Sequence, residues 1–172
     1  MNFKLLIAAV AAAFMLCGCG YRIGFMGHPQ IKSLGVAPVS NETLSYNASG
    51  VLRALLCERI TNDGTYQLRS ESEADCILYA KVLKVNFSER SWSSNNNHNS
   101  GEFFPDYYRV SATVDCSVII PGRVKPLIGP FRVTGRTMID HIIDLEHARN
   151  IGVKYALWEA TKKIIDRCTE TW

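Results

Sequence analysis

The chain has no apolar run long enough to cross a bilayer as a helix. Its longest, Leu5 to Leu16, falls well short of the roughly twenty residues such a span needs. No Cys-x-x-Cys spacing occurs among the 6 cysteines, which argues against a zinc knuckle or a dithiol redox motif. Neither a Gly-x-Ser-x-Gly elbow nor a phosphate-cradling glycine loop is present, so nucleophilic hydrolysis and nucleotide chemistry have no support. One-signed charge is lacking too: 19 Lys and Arg stand against 16 Asp and Glu, a net charge of +3. That excess is too small for nucleic-acid binding driven by bulk charge, so no nucleic-acid partner is expected and an anionic partner must be met by a local basic patch. Internal repeats are absent, and one core suffices for a chain of this length.

What is present begins at the front. Lys4 precedes the alanine-rich run Leu5 to Leu16, as in a cleaved signal segment. Leu16-Cys17-Gly18-Cys19 then resembles the bacterial lipobox, in which the chain is cut before the cysteine and that residue is acylated. Each buried methylene contributes about 0.8 kcal/mol, so three acyl chains on Cys19 hold a protein almost irreversibly. Residues 1–18 therefore read as a lipoprotein signal peptide, 19–30 as a lipidated tether and 31–172 as a single domain. Cys57, Cys76, Cys116 and Cys168 remain, with three possible pairings. All lie in periodic apolar segments, so two disulfides and four small buried hydrophobes are both open; a simple hairpin register disfavours Cys76 with Cys116.

The domain reads as strand, helix, short strand, three meander strands and helix. Ile31 to Val39 makes the first strand, stopped by Pro38 and Ser40-Asn41-Glu42-Thr43. Ser49 is placed to cap a helix carrying Leu52, Leu55, Leu56 and Ile60, which ends at Asn62-Asp63-Gly64. Tyr66 to Arg69 is a short strand and Cys76 to Phe87 a longer one. In the latter Cys76, Leu78, Ala80 and Val82 share one face, while Ile77, Tyr79, Lys81, Leu83, Val85 and Phe87 share the other. Ser88 to Ser100 reads as a solvated loop. From Tyr108 to Ile120 the alternation is cleanest, with Arg109, Ser111, Thr113, Asp115 and Ser117 opposite Val110, Ala112, Val114, Cys116 and Val118. After Pro121-Gly122, Phe131 to Ile139 returns. Asp144 is a plausible N-cap for a last helix with Val153, Leu157, Ala160, Ile164, Ile165 and Cys168 as its stripe. The expected fold class is α+β: a mixed four- to five-stranded sheet with two helices packed on one face.

This order is similar to the lipopolysaccharide-assembly lipoprotein (LptE) family over nearly the whole processed chain. The resemblance rests on Cys19-Gly20-Tyr21, on Ile31 through Val39 with the exit Ser40-Asn41-Glu42-Thr43, on Asp63-Gly64, on Ala74-Asp75-Cys76-Ile77-Leu78 and on Thr134-Gly135-Arg136. It implies a non-enzymatic, lipid-anchored outer-membrane protein, facing the periplasm, that sits in the lumen of a large β-barrel translocon, helps assemble it and contacts lipopolysaccharide bound for the outer leaflet. It implies no cofactor.

Read physically, such cargo presents anionic groups beside apolar lipid, and arginine's planar fork suits phosphate oxygens. Lys81, Arg109, Arg132 and Arg136 are the candidate ligand-binding cations on the outward sheet face. Leu83, Val85 and Phe87, as an outward apolar stripe, and Arg123 and Lys125, on the Pro121-Gly122 turn, are the candidate partner contacts. Asp140, His141, Asp144, Glu146 and His147 lack a hydrolase spacing and suit a helix start, so no catalytic or metal residue is assigned. His28 and His98 fall in expected loops. The alternative to the barrel plug is another envelope lipoprotein, a secretion-pore component or scaffold.

Overall fold

The computed structural model describes residues 30–94, 103–140 and 144–169. The signal segment, Cys19, the tether up to residue 29, His28, His98 and His141 lie outside them. The elements are β1 (Ser33–Val36), β2 (Ser40–Asn41), α1 (Ala48–Asp63), β3 (Gln67–Leu68), β4 (Cys76–Ser94), β5 (Phe103–Ile119), β6 (Ile128–Asp140) and α2 (Leu145–Thr169). They form one 6-stranded mixed sheet ordered β3-β1-β4-β5-β6, with β2 alongside β4. β1 runs parallel to both β3 and β4, whereas β4, β5 and β6 form an antiparallel meander. The fold is α+β, as expected.

Both helices cover the sheet face built from Leu78, Ala80, Val82, Val110, Ala112, Val114, Val118 and Val133. α2 lies against β5 and β6 through Val153, Ala156, Leu157, Ala160 and Ile164, and α1 packs beside it through Leu52, Leu56 and Ile60. The fit of α2 depends on Gly135. A Cβ there would stand 1.9 Å from the Ala156 carbonyl oxygen and 2.5 Å from the Ala160 nitrogen, so helix backbone rests directly on the strand. Ala112 lies beside Gly135 in register and keeps the seat shallow. Along β6, Lys163 Nζ of α2 donates to the Thr134 carbonyl at 2.8 Å, placing a charge beside this outer strand.

Local signals set the ends. Asp144 caps α2, its Oδ1 accepting the His147 N–H at 3.0 Å. Gly64 closes α1 at φ +70°, donating its N–H to the Ile60 carbonyl at 3.2 Å. The expected cap at Ser49 is corrected: α1 already starts at Ala48, after Asn47, whose side chain makes no capping bond. Burial of Ala48 in the core fixes that earlier start. β1 is also shorter than the expected run from Ile31 to Val39. Its entry is stapled to β4 by Asp75, whose carboxylate accepts the Lys32 and Ser33 N–H groups, both at 2.9 Å. Those backbone bonds and the Ser33 hydroxyl hold the Asp75 carboxyl below its ordinary range.

The largest correction concerns the expected loop Ser88 to Ser100, of which residues 95–100 lie outside the described ones. Residues 88–94 belong to β4 and pair with β5 through Ser88 with Arg109, Glu89 with Tyr108 and Arg90 with Tyr107. A polar composition read as loop is strand here because the partner strand satisfies its backbone groups.

The sheet therefore has two ends. At one, β5 turns into β6, β1 starts just after Gln30, and Ile31, Leu127, Ile128 and Cys168 line one small gap. The other is the far half of β4, paired with the start of β5; the loop Glu42 to Tyr46 and the first turn of α2 lie between the two, beside Leu83 to Phe87.

Candidate functional site

No described helix lies over the outward face of β4, β5 and β6, whose cross-strand rows can be read from the register. Lys81, Asp115 and Arg132 form one row, Asn86, Ser111 and Arg136 another, and Ser88, Arg109 and Met138 a third. The four candidate cations are thereby divided. Arg132 makes a two-pronged bond to Asp115, Nε to Oδ1 at 2.7 Å and an Nη to Oδ2 at 2.9 Å. This bond holds the Asp115 carboxyl below its usual range and raises the Arg132 guanidinium. Lys81 pairs with Glu42, which arrives from the loop after β2. Lys81 and Arg132 are thus matched by two carboxylates, leaving little net field for an anion.

Arg109 and Arg136 differ. No ion pair is found for either among the described residues, and the register sets them diagonally, within reach of long side chains. Met138, 58% exposed, sits opposite Arg109 and two positions from Arg136, putting apolar surface beside the two cations. The candidate ligand patch narrows to this group.

The expected outward stripe of Leu83, Val85 and Phe87 does not form. A bulge between Val82 and Lys84 inserts Leu83 and shifts the alternation by one, so Val85 pairs with Ala112 and Phe87 with Val110. Both now face the helices and pack against the core. The same shift carries Lys84 and Asn86 outward, opposite Thr113 and Ser111. Lys84 was thereby missed as a further cation of the outer face. Its signal was available: with unbroken alternation, Lys84 and Asn86 would fall on the buried side.

The bulge opens a groove of about 790 Å³ between the loop Glu42 to Tyr46, the segment Leu83 to Phe87 and the first turns of α2. Leu44 and Tyr46 stand almost fully exposed on its rim. Arg149 of α2 lies 5.5 Å from the centroid of the Phe87 ring.

At one end of the sheet the β5–β6 turn is held by Arg123 N–H to Ile120 at 3.0 Å, by Leu127 N–H to Val118 at 2.8 Å and by Gly122 at φ +83°. It presents Arg123, Val124 and Lys125 to solvent, away from the sheet-face cations.

Cys76, Cys116 and Cys168 are buried and Cys57 is partly exposed, with no disulfide among the described residues. Burial pushes Cys76 and Cys168 up to about 12, and pushes Cys116 upward as well. Glu146 lies in the first turn of α2 beside the capping Asp144, as the helix dipole favours. Among the described residues no three His, Cys, Asp or Glu side chains are grouped to hold a metal ion.

No protein-family model matches the chain, and no curated protein matches it in sequence. Solved structures do share its fold. A minor lipoprotein from Acinetobacter baumannii superposes with a TM-score of 0.52 at 11% identity, over 81% of this chain and 93% of that one. A hypothetical protein from Chlamydia trachomatis gives 0.53 at 11% identity, over 80% and 95%. A protein from Xanthomonas campestris gives 0.53 at 11% identity, over 84% and 90%. The fold is lipoprotein-like.

Proposed function

We propose that the chain is an envelope lipoprotein, anchored in the outer membrane by acyl chains on Cys19, that plugs a lipopolysaccharide-exporting β-barrel and contacts its cargo. One observation carries this reading: a long antiparallel meander with its helices confined to one face, leaving a polar face on which Arg109 and Arg136 have no acidic partner among the described residues. The lipobox at Leu16-Cys17-Gly18-Cys19, the lipoprotein-like fold and the family resemblance of the sequence support it.

A barrel lumen is lined by polar side chains and water, so the surface seated against it should be polar rather than greasy. The outer face of β4, β5 and β6 meets that demand with Lys84, Asn86, Ser111, Thr113 and Thr134. Cargo carrying phosphates beside acyl chains is matched by Arg109 and Arg136 flanking Met138. The guanidinium groups take phosphate oxygens in pairs, and the thioether side chain covers the adjoining hydrocarbon. The role is binding and passage, with no chemical step assigned to any residue.

The test is titration of purified protein with lipopolysaccharide. The double variant Arg109→Glu/Arg136→Glu should bind at least about tenfold more weakly, because two charge-assisted contacts become repulsions, while its unfolding curve stays that of the parent. Parental binding by this variant would discard the patch.

A further inference from the structure

Between Asp115 and Asp140 the chain carries Arg123, Lys125, Arg132 and Arg136 and no acidic residue. Arg132 is bound to Asp115 and Arg136 belongs to the sheet face. The Arg123 and Lys125 side chains stand alone on the β5–β6 turn, with no ion pair among the described residues. Between them Val124 is 100% exposed, and Pro121 and Pro126 flank the group in the open. A rigid turn that lifts one apolar side chain between two cations has the composition of a headgroup-contacting tip: the aliphatic group enters the interface and the cations meet phosphates.

The tether shows which surface the tip would meet. The first described residue, Gln30, enters β1 at the same end of the sheet as this turn, where Ile31, Leu127 and Ile128 line one gap. From Cys19 to Gln30 the chain spans at most about 40 Å fully extended, and about 20 Å as a flexible coil. β4 alone is 19 residues, or about 60 Å of strand. An acyl group on Cys19 therefore draws this end toward the membrane, and the loop with Leu44 and Tyr46, beside Leu83 to Phe87 about halfway along β4, stands roughly 25 Å farther back along the strand.

We infer that the Pro121–Pro126 turn is the membrane-facing tip of the domain, docking Arg123, Val124 and Lys125 on anionic phospholipid headgroups of the leaflet that holds Cys19. The inference rests on the lipoprotein reading of Cys19 and adds an orientation to it. It also gives the turn, expected from the sequence to meet the barrel, a lipid occupant, and it concerns the domain before it enters a lumen, whose wall would stand between turn and headgroups.

The experiment uses the full lipidated protein reconstituted into vesicles of phosphatidylethanolamine and phosphatidylglycerol. A photo-crosslinking residue replaces Val124 in one sample and Leu44 in another. Lipid should be captured at position 124 at least about tenfold more than at 44. Arg123→Glu/Lys125→Glu should remove most of that capture, Arg123→Gln/Lys125→Gln part of it, and raised salt should weaken it in the parent. Equal or greater lipid capture at 44, capture indifferent to the charge reversals, or capture of a second protein copy at 124 would overturn the inference. The intact mass of the reconstituted protein separates the two failures. A chain without acyl groups on Cys19 sinks the lipoprotein reading, whereas an acylated chain with no lipid at 124 sinks the orientation alone.

Discussion

On the helix side of β5, Val110, Ala112, Val114, Cys116 and Val118 are closed off from water; on its other side Arg109, Ser111, Thr113, Asp115 and Ser117 are covered by no described helix. The same contrast runs across β4 and β6. A sheet with one solvated face is ordinary among antiparallel folds. Less ordinary is how the polar face is organised. Its half nearer the β5–β6 turn is closed electrostatically by Glu42, Lys81, Asp115 and Arg132, while its distal half keeps Lys84, Arg109 and Arg136 without acidic partners in the described structure. The packed face sets stability, and the distal half of the open face is the part proposed for recognition.

The contrast can be broken most severely at Gly135. Gly135→Ala forces helix and strand apart and should cost at least about 3 kcal/mol, because the atoms it meets are backbone. Arg136→Ala, one residue along on the open face, should change stability by less than about 0.5 kcal/mol. Urea unfolding of the two variants checks this, and similar midpoints would contradict the assignment of faces.

Thiol labelling sharpens the same division by rate. In the native protein at mildly alkaline pH, Cys57 should react first, while Cys76, Cys116 and Cys168 stay protected until the chain unfolds. The sign follows from burial, which keeps these three thiols neutral well above the ordinary value of 9.0. The stability this gives is full below that value and is lost as pH rises through the folded-state ones. Comparable labelling of all four in the folded state would contradict the packing of α2 on the sheet.

The smallest effect is expected in acid. Asp75 and Asp115 both sit below the ordinary carboxylate value of 3.8, one through backbone N–H groups and the other through Arg132. Their contribution is complete above that value and disappears as pH falls through the lowered ones. Asp75→Asn should flatten the acid limb of the stability curve. Asp115→Asn should flatten it less, since its pair is exposed and water screens it. An unchanged acid limb in both variants would contradict the assignment.

Much of this was legible in the residues. The alternation of β5, the stripe of α2, the Asp144 cap and the glycine end of α1 are local signals, and each element formed where its signal lay. The bulge was written in Lys84 and Asn86, whose polarity is incompatible with the core-facing places that unbroken alternation gives them. Ser88 to Ser94 was not legible as strand, because serine, glutamate and arginine carry no strand preference and only pairing with β5 orders them. Nor was the division among the four cations. Glu42 and Lys81 lie far apart in the chain, and which arginine faces Asp115 depends on a register that only the folded hairpin fixes. Thr134-Gly135-Arg136 read as a stretch of small residues, but the reason for its glycine, helix backbone resting on the strand, is tertiary.

The central claim, a lipid-anchored plug whose uncovered sheet face sits in a barrel lumen, is tested most directly by affinity capture of the tagged full-length protein from detergent-extracted envelopes, with the partners identified by mass spectrometry. The account predicts a large outer-membrane β-barrel recovered in proportion to the bait, which itself carries acyl chains on Cys19. Recovery of an unlipidated protein alone, or of a soluble ring of its own copies with no barrel, would contradict it.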